Sequence, residues 1–122
     1  MEDFERRSGK NKFLIHMKTI FIDTTSNTEI IVALIVDGER DEVKKVLEKK
    51  KAQIALYLIE ELLQKHKLRL QDIECIEVNP GPGSFTGVRV GISVANALSY
   101  ALGIPVNGID VGKEDVGVKP VY

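Results

Sequence analysis

The apolar positions of the chain begin as short dense runs and continue as helical stripes. Residues 18–23, KTIFID, are a short apolar run closed by the polar stretch DTTSN. Residues 28–39, TEIIVALIVDGE, are rich in Ile and Val and end at Asp37–Gly38, a pair suited to a tight hairpin turn. Two such runs joined by a polar link predict an antiparallel hairpin. The composition of 40–50, RDEVKKVLEKK, suits a strand or a helix. Its place after a hairpin turn favours a third antiparallel strand. At 52–66, AQIALYLIEELLQKH, the period becomes helical. Ile54, Leu58 and Leu62 recur every fourth residue with Ala55, Ile59 and Leu63 beside them, and Glu60, Glu61, Gln64 and Lys65 make the wet side. A turn and a short strand follow within 68–79, with Ile76 and Val78 on one face. A second helix is expected over roughly 86–102, with Thr86 as N-cap and Gly103 then Pro105 as its stop. IPVNGI, 104–109, reads as a further strand, and the remaining residues as a loop-like tail. The order β-β-β-α-β-α-β predicts an α/β layer with a mixed sheet and helices packed on it.

Between the short strand and the second helix lies NPGPGSFTGVRVG, 79–91. Glycine amides at a helix N-terminus can cradle an anion, and Ser84 and Thr86 add hydroxyls. The stretch lacks the Gly-Lys-Ser/Thr ending of a P-loop, and its Gly-x-Gly-x-x-x-Gly spacing is one residue longer than the dinucleotide fingerprint. The structural reading is stronger: Pro82 stiffens the turn, and the glycines let the helix lie tight on the sheet. In that helix Gly91, Ala95 and Ser99 form a small-residue stripe beside an apolar one of Val90, Val94 and Leu98. One stripe suits the sheet. The other suits the first helix or a partner subunit.

Composition narrows the chemistry. The chain has 122 residues, 43% of them hydrophobic and 29% charged, as in an ordinary single domain. Its 17 basic and 18 acidic residues leave a net charge of −1, unlike an autonomous nucleic-acid binder. No apolar run approaches the ~20 residues of a membrane span. The single cysteine, Cys75, cannot pair within the chain and is expected to be an inert strand thiol in a cytoplasmic protein. The histidines, His16 and His66, are expected at the surface, and no catalytic or metal-binding set is expected. Ser84 lies in no Gly-x-Ser-x-Gly elbow. Asp23 and Thr25 should cap the first hairpin turn.

Residues 17–34, MKTIFIDTTSNTEIIVAL, together with GPGSFTGVRVG and ANALSYALGIPVNGID, resemble the TsaB (YeaZ) family over roughly 17–110. The resemblance implies a single actin-like, Hsp70-like ATPase lobe of ribonuclease H-like type. It implies a non-catalytic subunit that binds a TsaD-like partner in threonylcarbamoyl transfer to adenosine 37 of tRNA. A TsaE-like ATPase would be a further partner, the chain alone would be a homodimer, and tRNA would be met only through the complex. ATP or magnesium would belong to the partner or a complex interface. The alternatives are a phosphate-binding ATPase-like domain and a homodimeric module without a tRNA role. The implied interface is Ile54, Leu58 and Leu62 on the first helix with Val90, Gly91, Val94, Ala95 and Leu98 on the second. The glycine loop would be Gly81, Gly83, Ser84, Phe85, Thr86, Gly87 and Arg89, with Arg89 tying it down. In the wider superfamily an aspartate after the first strand lies near phosphate, which makes Asp23 and Thr24 the candidates for such a contact. Typical members have two lobes. Here 1–16 reads as a flexible extension, and 17–122 as one lobe whose KPVY tail resembles the end of full-length members.

Overall fold

The computed structural model describes residues 17–46, 51–112 and 117–122, Lys51 by its backbone only. The expected extension 1–16, with His16, and the end of the expected third strand at 47–50 lie outside the described residues. The elements run β1 (Thr19–Asp23), β2 (Glu29–Val36), β3 (Glu39–Val46), α1 (Lys51–Lys65), a 3₁₀ turn (Leu70–Asp72), β4 (Cys75–Val78) and α2 (Phe85–Leu102). The sheet order is β3-β2-β1-β4. β1, β2 and β3 pair antiparallel, whereas β4 lies parallel to β1. The ambiguous 40–50 segment is therefore a strand where described. Its entry turn places Asp37 at φ 52° and Gly38 at φ 79°, the pair of left-handed residues that suits the twist of a hairpin.

Alternation in the strands decides which face is covered. Ile20 and Ile22 of β1, Ile30, Val32 and Leu34 of β2, and Ile76 and Val78 of β4 point to one face and are buried. α1 packs against β2, α2 against β1 and β4, and the two helices against each other. α1 buries Ala55, Leu58, Ile59, Leu62 and Leu63, the i, i+3, i+4, i+7, i+8 set of one helix face. On the other face of the sheet, the Arg40 guanidinium lies 4.6 Å from the centre of the Phe21 ring.

Two local expectations are corrected. The strand expected at 104–109 is reduced to bridges of Val106 with Ile76 and with Ile109. Asn107, at φ 48°, and Gly108, at φ 79°, turn the chain back after Val106. The Asn107 side chain then takes both main-chain groups of Val78, each at 2.9 Å, where a continuing strand would have paired. The N-cap of α2 is Ser84 rather than Thr86: its hydroxyl accepts from the Gly87 amide at 3.3 Å. The expected stop holds, with Gly103 left-handed at φ 67°.

α2 comes into direct contact with the chain just beyond β1. Thr24 is 1% exposed. Its hydroxyl donates to the Gly87 carbonyl and accepts from the Gly91 amide at 2.9 Å. Those groups are four residues apart in α2, so the hydroxyl sits against one rung of the helix. A Cβ on Gly91 would land on the Thr24 hydroxyl. The Gly91, Ala95 and Ser99 stripe thus faces inward, and all three are buried. Gly91→Ala should destabilise the fold by about 1–3 kcal/mol, an overpacking cost. In urea unfolding, Thr24→Ala should relieve part of that cost, making the double variant less destabilised than the sum of the singles.

Candidate docking surface and glycine-rich junction

The turn after β1 is held by a carboxylate. Asp23 Oδ1 accepts from the Thr25 amide at 2.9 Å and the Thr25 hydroxyl at 2.7 Å. Oδ2 accepts from the Asn79 side-chain amide at 3.2 Å, which ties the turn to the start of the glycine-rich stretch. Partial burial pushes the Asp23 carboxyl up, but the hydrogen bonds from Thr25 and Asn79 outweigh it and hold the group below its ordinary 3.8. Asp23 and Thr24, the candidate phosphate contacts, are both committed within the chain. Asp23 caps the turn, as the capping reading expected, and Thr24 seats α2.

The glycine loop is likewise turned onto its own chain. The Gly81 amide donates to Asn79 Oδ1 at 3.1 Å, and the Ser84 amide to the Thr25 carbonyl at 2.7 Å. The Gly87 amide is taken by the Ser84 hydroxyl. Gly83 lies on Thr25, where a Cβ would meet the Thr25 carbonyl oxygen at 2.6 Å. Gly81, at φ 110°, lies against the Val121 carbonyl, and the Val121 amide donates to the Pro80 carbonyl at 2.7 Å. Thr86 and Arg89 are exposed. Arg89, expected to tie the loop, places its guanidinium 5.3 Å from the centre of the ring of Phe85, a residue of that loop one helical turn back.

The expected interface residues divide by depth. Leu58, Leu62, Gly91, Val94 and Ala95 are buried in the core and cannot present an outer face. Ile54, Val90 and Leu98 are half-buried. The outer surface carries other side chains. Leu56 is 48% exposed and Tyr57 63% on α1, and Phe85 is 58% and Tyr100 70% on α2. A groove at the N-terminal ends of the helices is lined by Ala52, Phe85, Thr86, Arg89, Val90 and Ser93. Leu56 and Tyr57 were legible as apolar residues off the five-residue buried stripe of α1. Which side chains α2 turns outward is set by Thr24, a residue remote in sequence.

Other titratable groups lie elsewhere. Cys75 is buried, its thiol 2.9 Å from the Thr19 hydroxyl, and burial raises its pKa. At the far end of α1, Lys65 and His66 each approach Asp41 Oδ2 at 2.8 Å and hold that carboxyl below its ordinary range. Among the described residues no three or more His, Cys, Asp or Glu side chains are grouped to hold a metal ion. No described helix is long and apolar enough to cross a membrane.

Against known proteins, residues 43–111 match the family model described as TsaD: tRNA N6-adenosine threonylcarbamoyltransferase. The tRNA threonylcarbamoyladenosine biosynthesis protein TsaB of Haemophilus influenzae is 33% identical over 88 residues, covering 72% of this chain and 37% of that protein. TsaB of Bacillus subtilis is 34% identical over 93 residues, covering 76% of this chain and 41% of the relative. The structure titled YeaZ from Pseudomonas aeruginosa superposes with a TM-score of 0.69 at 32% identity, over 74% of this chain and 42% of that one. The chain belongs to the TsaD family, in its TsaB (YeaZ) group. Its four-stranded mixed sheet with two helices is the actin-like, ribonuclease H-like α/β fold of that group. It spans 37% and 41% of the length of the two TsaB relatives named.

Because the folded pKa of Asp23 lies below 3.8, its hydrogen bonds stabilise this TsaB-family chain fully above that value. The contribution is lost as pH falls through the folded pKa. Asp23→Asn should therefore lower the melting temperature most at neutral pH, with the gap to wild type closing in acid. A gap independent of pH would show that the charge of Asp23 contributes nothing.

Proposed function

We propose that this chain is a non-catalytic docking subunit in the formation of threonylcarbamoyladenosine on tRNA. Its outer helix surface binds a TsaD-like catalytic subunit. Leu56, Tyr57, Phe85 and Tyr100 carry this reading: four large apolar side chains left exposed on two adjacent helices, of which Phe85 lines the groove. Apolar surface left exposed around a groove marks interaction sites. The names of the TsaB relatives supply the process. The partner is supported by likeness of sequence. The tRNA N6-adenosine threonylcarbamoyltransferase of Geotalea uraniireducens is 38% identical over 68 residues, 56% of this chain and 20% of that protein. Like helices on the two proteins can pair about a pseudo-twofold axis, and the same face would make a homodimer when no partner is present. tRNA is met through the complex, in the cytoplasm, and a TsaE-like ATPase is a further partner. ATP and magnesium belong to the partner or to the joint between subunits. A nucleotide site on this chain is not favoured, because Thr24 and three amides of the junction already have partners within the chain.

The test is the light-scattering mass of the purified chain, alone and mixed with a TsaD-like protein from the same source. Ser93→Glu and Leu56→Glu alter exposed positions and should leave the melting temperature near that of wild type. Both should abolish a heteromer that wild type forms. A heteromer that survives both changes would place the interface elsewhere. Absence of a wild-type heteromer would refute the reading.

A further inference from the structure

The groove at the helix N-terminal ends adjoins the segment that carries Val121. Residues 117–122, GVKPVY, run along α2 and over the glycine loop. Asn96 binds this segment as a strand would: its side-chain NH₂ donates to the Val118 carbonyl at 3.1 Å, and its side-chain oxygen accepts from the Val118 amide at 3.0 Å. Val118 is 8% exposed and belongs to the core. The Val121 amide donates to the Pro80 carbonyl at 2.7 Å. The Tyr122 ring stacks on Phe85, with centres 4.6 Å apart and planes 25° apart. Lys119 and Pro120 are exposed. The contacts thus read backbone at two places, one buried aliphatic side chain and one aromatic ring.

The loop is shaped for this segment. A side chain at Gly81 would collide with the Val121 carbonyl, and at φ 110° the position is strained for any other residue. The Gly81, Ser84 and Gly87 amides donate to Asn79, Thr25 and Ser84 within the chain. Phe85 is shared: it carries Tyr122 and also lines the groove.

We propose that the glycine-rich junction is a seat for an extended peptide segment, filled here by residues 117–122, and that the seated segment fixes Phe85 and so shapes the docking groove. The second half rests on the docking function proposed above. The ligand class is an extended peptide with a small residue next to the Asn96 clamp, a valine one position on and an aromatic ring four positions after that valine. Because the main chain carries most of the polar recognition, side-chain changes at Lys119 are tolerated.

The experiment uses the full chain. Amide exchange is followed by NMR at Val118 and Val121, with Ile20 and Ile22 of β1 as reporters of the global fold, in wild type, Gly81→Ala, Asn96→Ala and Tyr122→Ala. Val118 and Val121 are expected to be protected in wild type. Gly81→Ala should speed exchange at Val121 at least about tenfold, and Asn96→Ala should do the same at Val118, while the β1 amides keep their protection. Tyr122→Ala should leave Val118 protected and shift the Phe85 ring resonances, which the stacked ring perturbs. It should also weaken association with the TsaD-like protein by about tenfold, near the ~1.4 kcal/mol scale of one aromatic pair. Unprotected Val118 and Val121 in wild type, or unchanged exchange in both loop and clamp variants, would overturn the seat. A Phe85 spectrum and a heteromer affinity both unchanged by Tyr122→Ala would overturn its hold on the groove. A wild type that forms no heteromer overturns the docking reading and the control built on it, while the exchange rates alone decide the seat.

Discussion

A buried hydroxyl pressed against one rung of a helix sets the geometry of this chain. Thr24 leaves β1 with its side chain inward, donates to the Gly87 carbonyl and accepts from the Gly91 amide. A buried hydroxyl without partners is costly, and here donor and acceptor are both matched. The contact works only if α2 carries no side chain at that point, which makes Gly91 a requirement of β1 rather than of α2. Once the rung is pinned, the rotation of α2 about its axis is settled. Val88, Ile92 and Ala95 then close the core, while Arg89, Ser93 and Tyr100 face out.

The same logic extends along the junction. Asp23 holds the turn after β1 and reaches Asn79, Thr25 receives Ser84, and Pro80 receives Val121. Each link joins residues far apart in sequence through at least one main-chain group or small polar side chain. A stretch whose composition also suits a phosphate cradle is where a hairpin turn, a helix start and a returning segment meet. Its glycines answer to crowding by other parts of the chain. A helix N-terminus offers amides to an anion only where they are left unpaired, and here several already have partners.

Side-chain amides serve twice as substitutes for strand pairing. Asn107 ends the sheet beside β4 by occupying the main chain of Val78, and Asn96 holds Val118 against α2. A side-chain amide presents a donor nitrogen and an acceptor oxygen at about the spacing of a peptide unit, so it can close a backbone edge without another strand. This is why the expected strand at 104–109 appears as bridges only: its pairing positions are taken by a side chain.

The sequence alone determined the order of elements as far as α2, the hairpin turns, the stop of α2 and the α/β class. Those follow from local rules: short dense apolar runs at 18–23 and 28–36, helical period in Lys51–Lys65, and turn or stop residues at Asp37, Gly38 and Gly103, which the structure finds left-handed. The third strand was legible only from its place after a turn, because its composition suits either structure. Tertiary structure decided the rest. Leu58, Leu62, Val94 and Ala95 read as a partner surface because a stripe shows that a helix has an apolar side, and does not show which neighbour covers it. For α2 that was settled by Thr24, more than sixty residues before the helix amide it receives, and for α1 by its packing on β2. The roles of Gly81 and Asn96 depend on residues 117–122, which return from the far end of the described chain to meet them. Such contacts are set by packing in space, and nothing in local spacing encodes them.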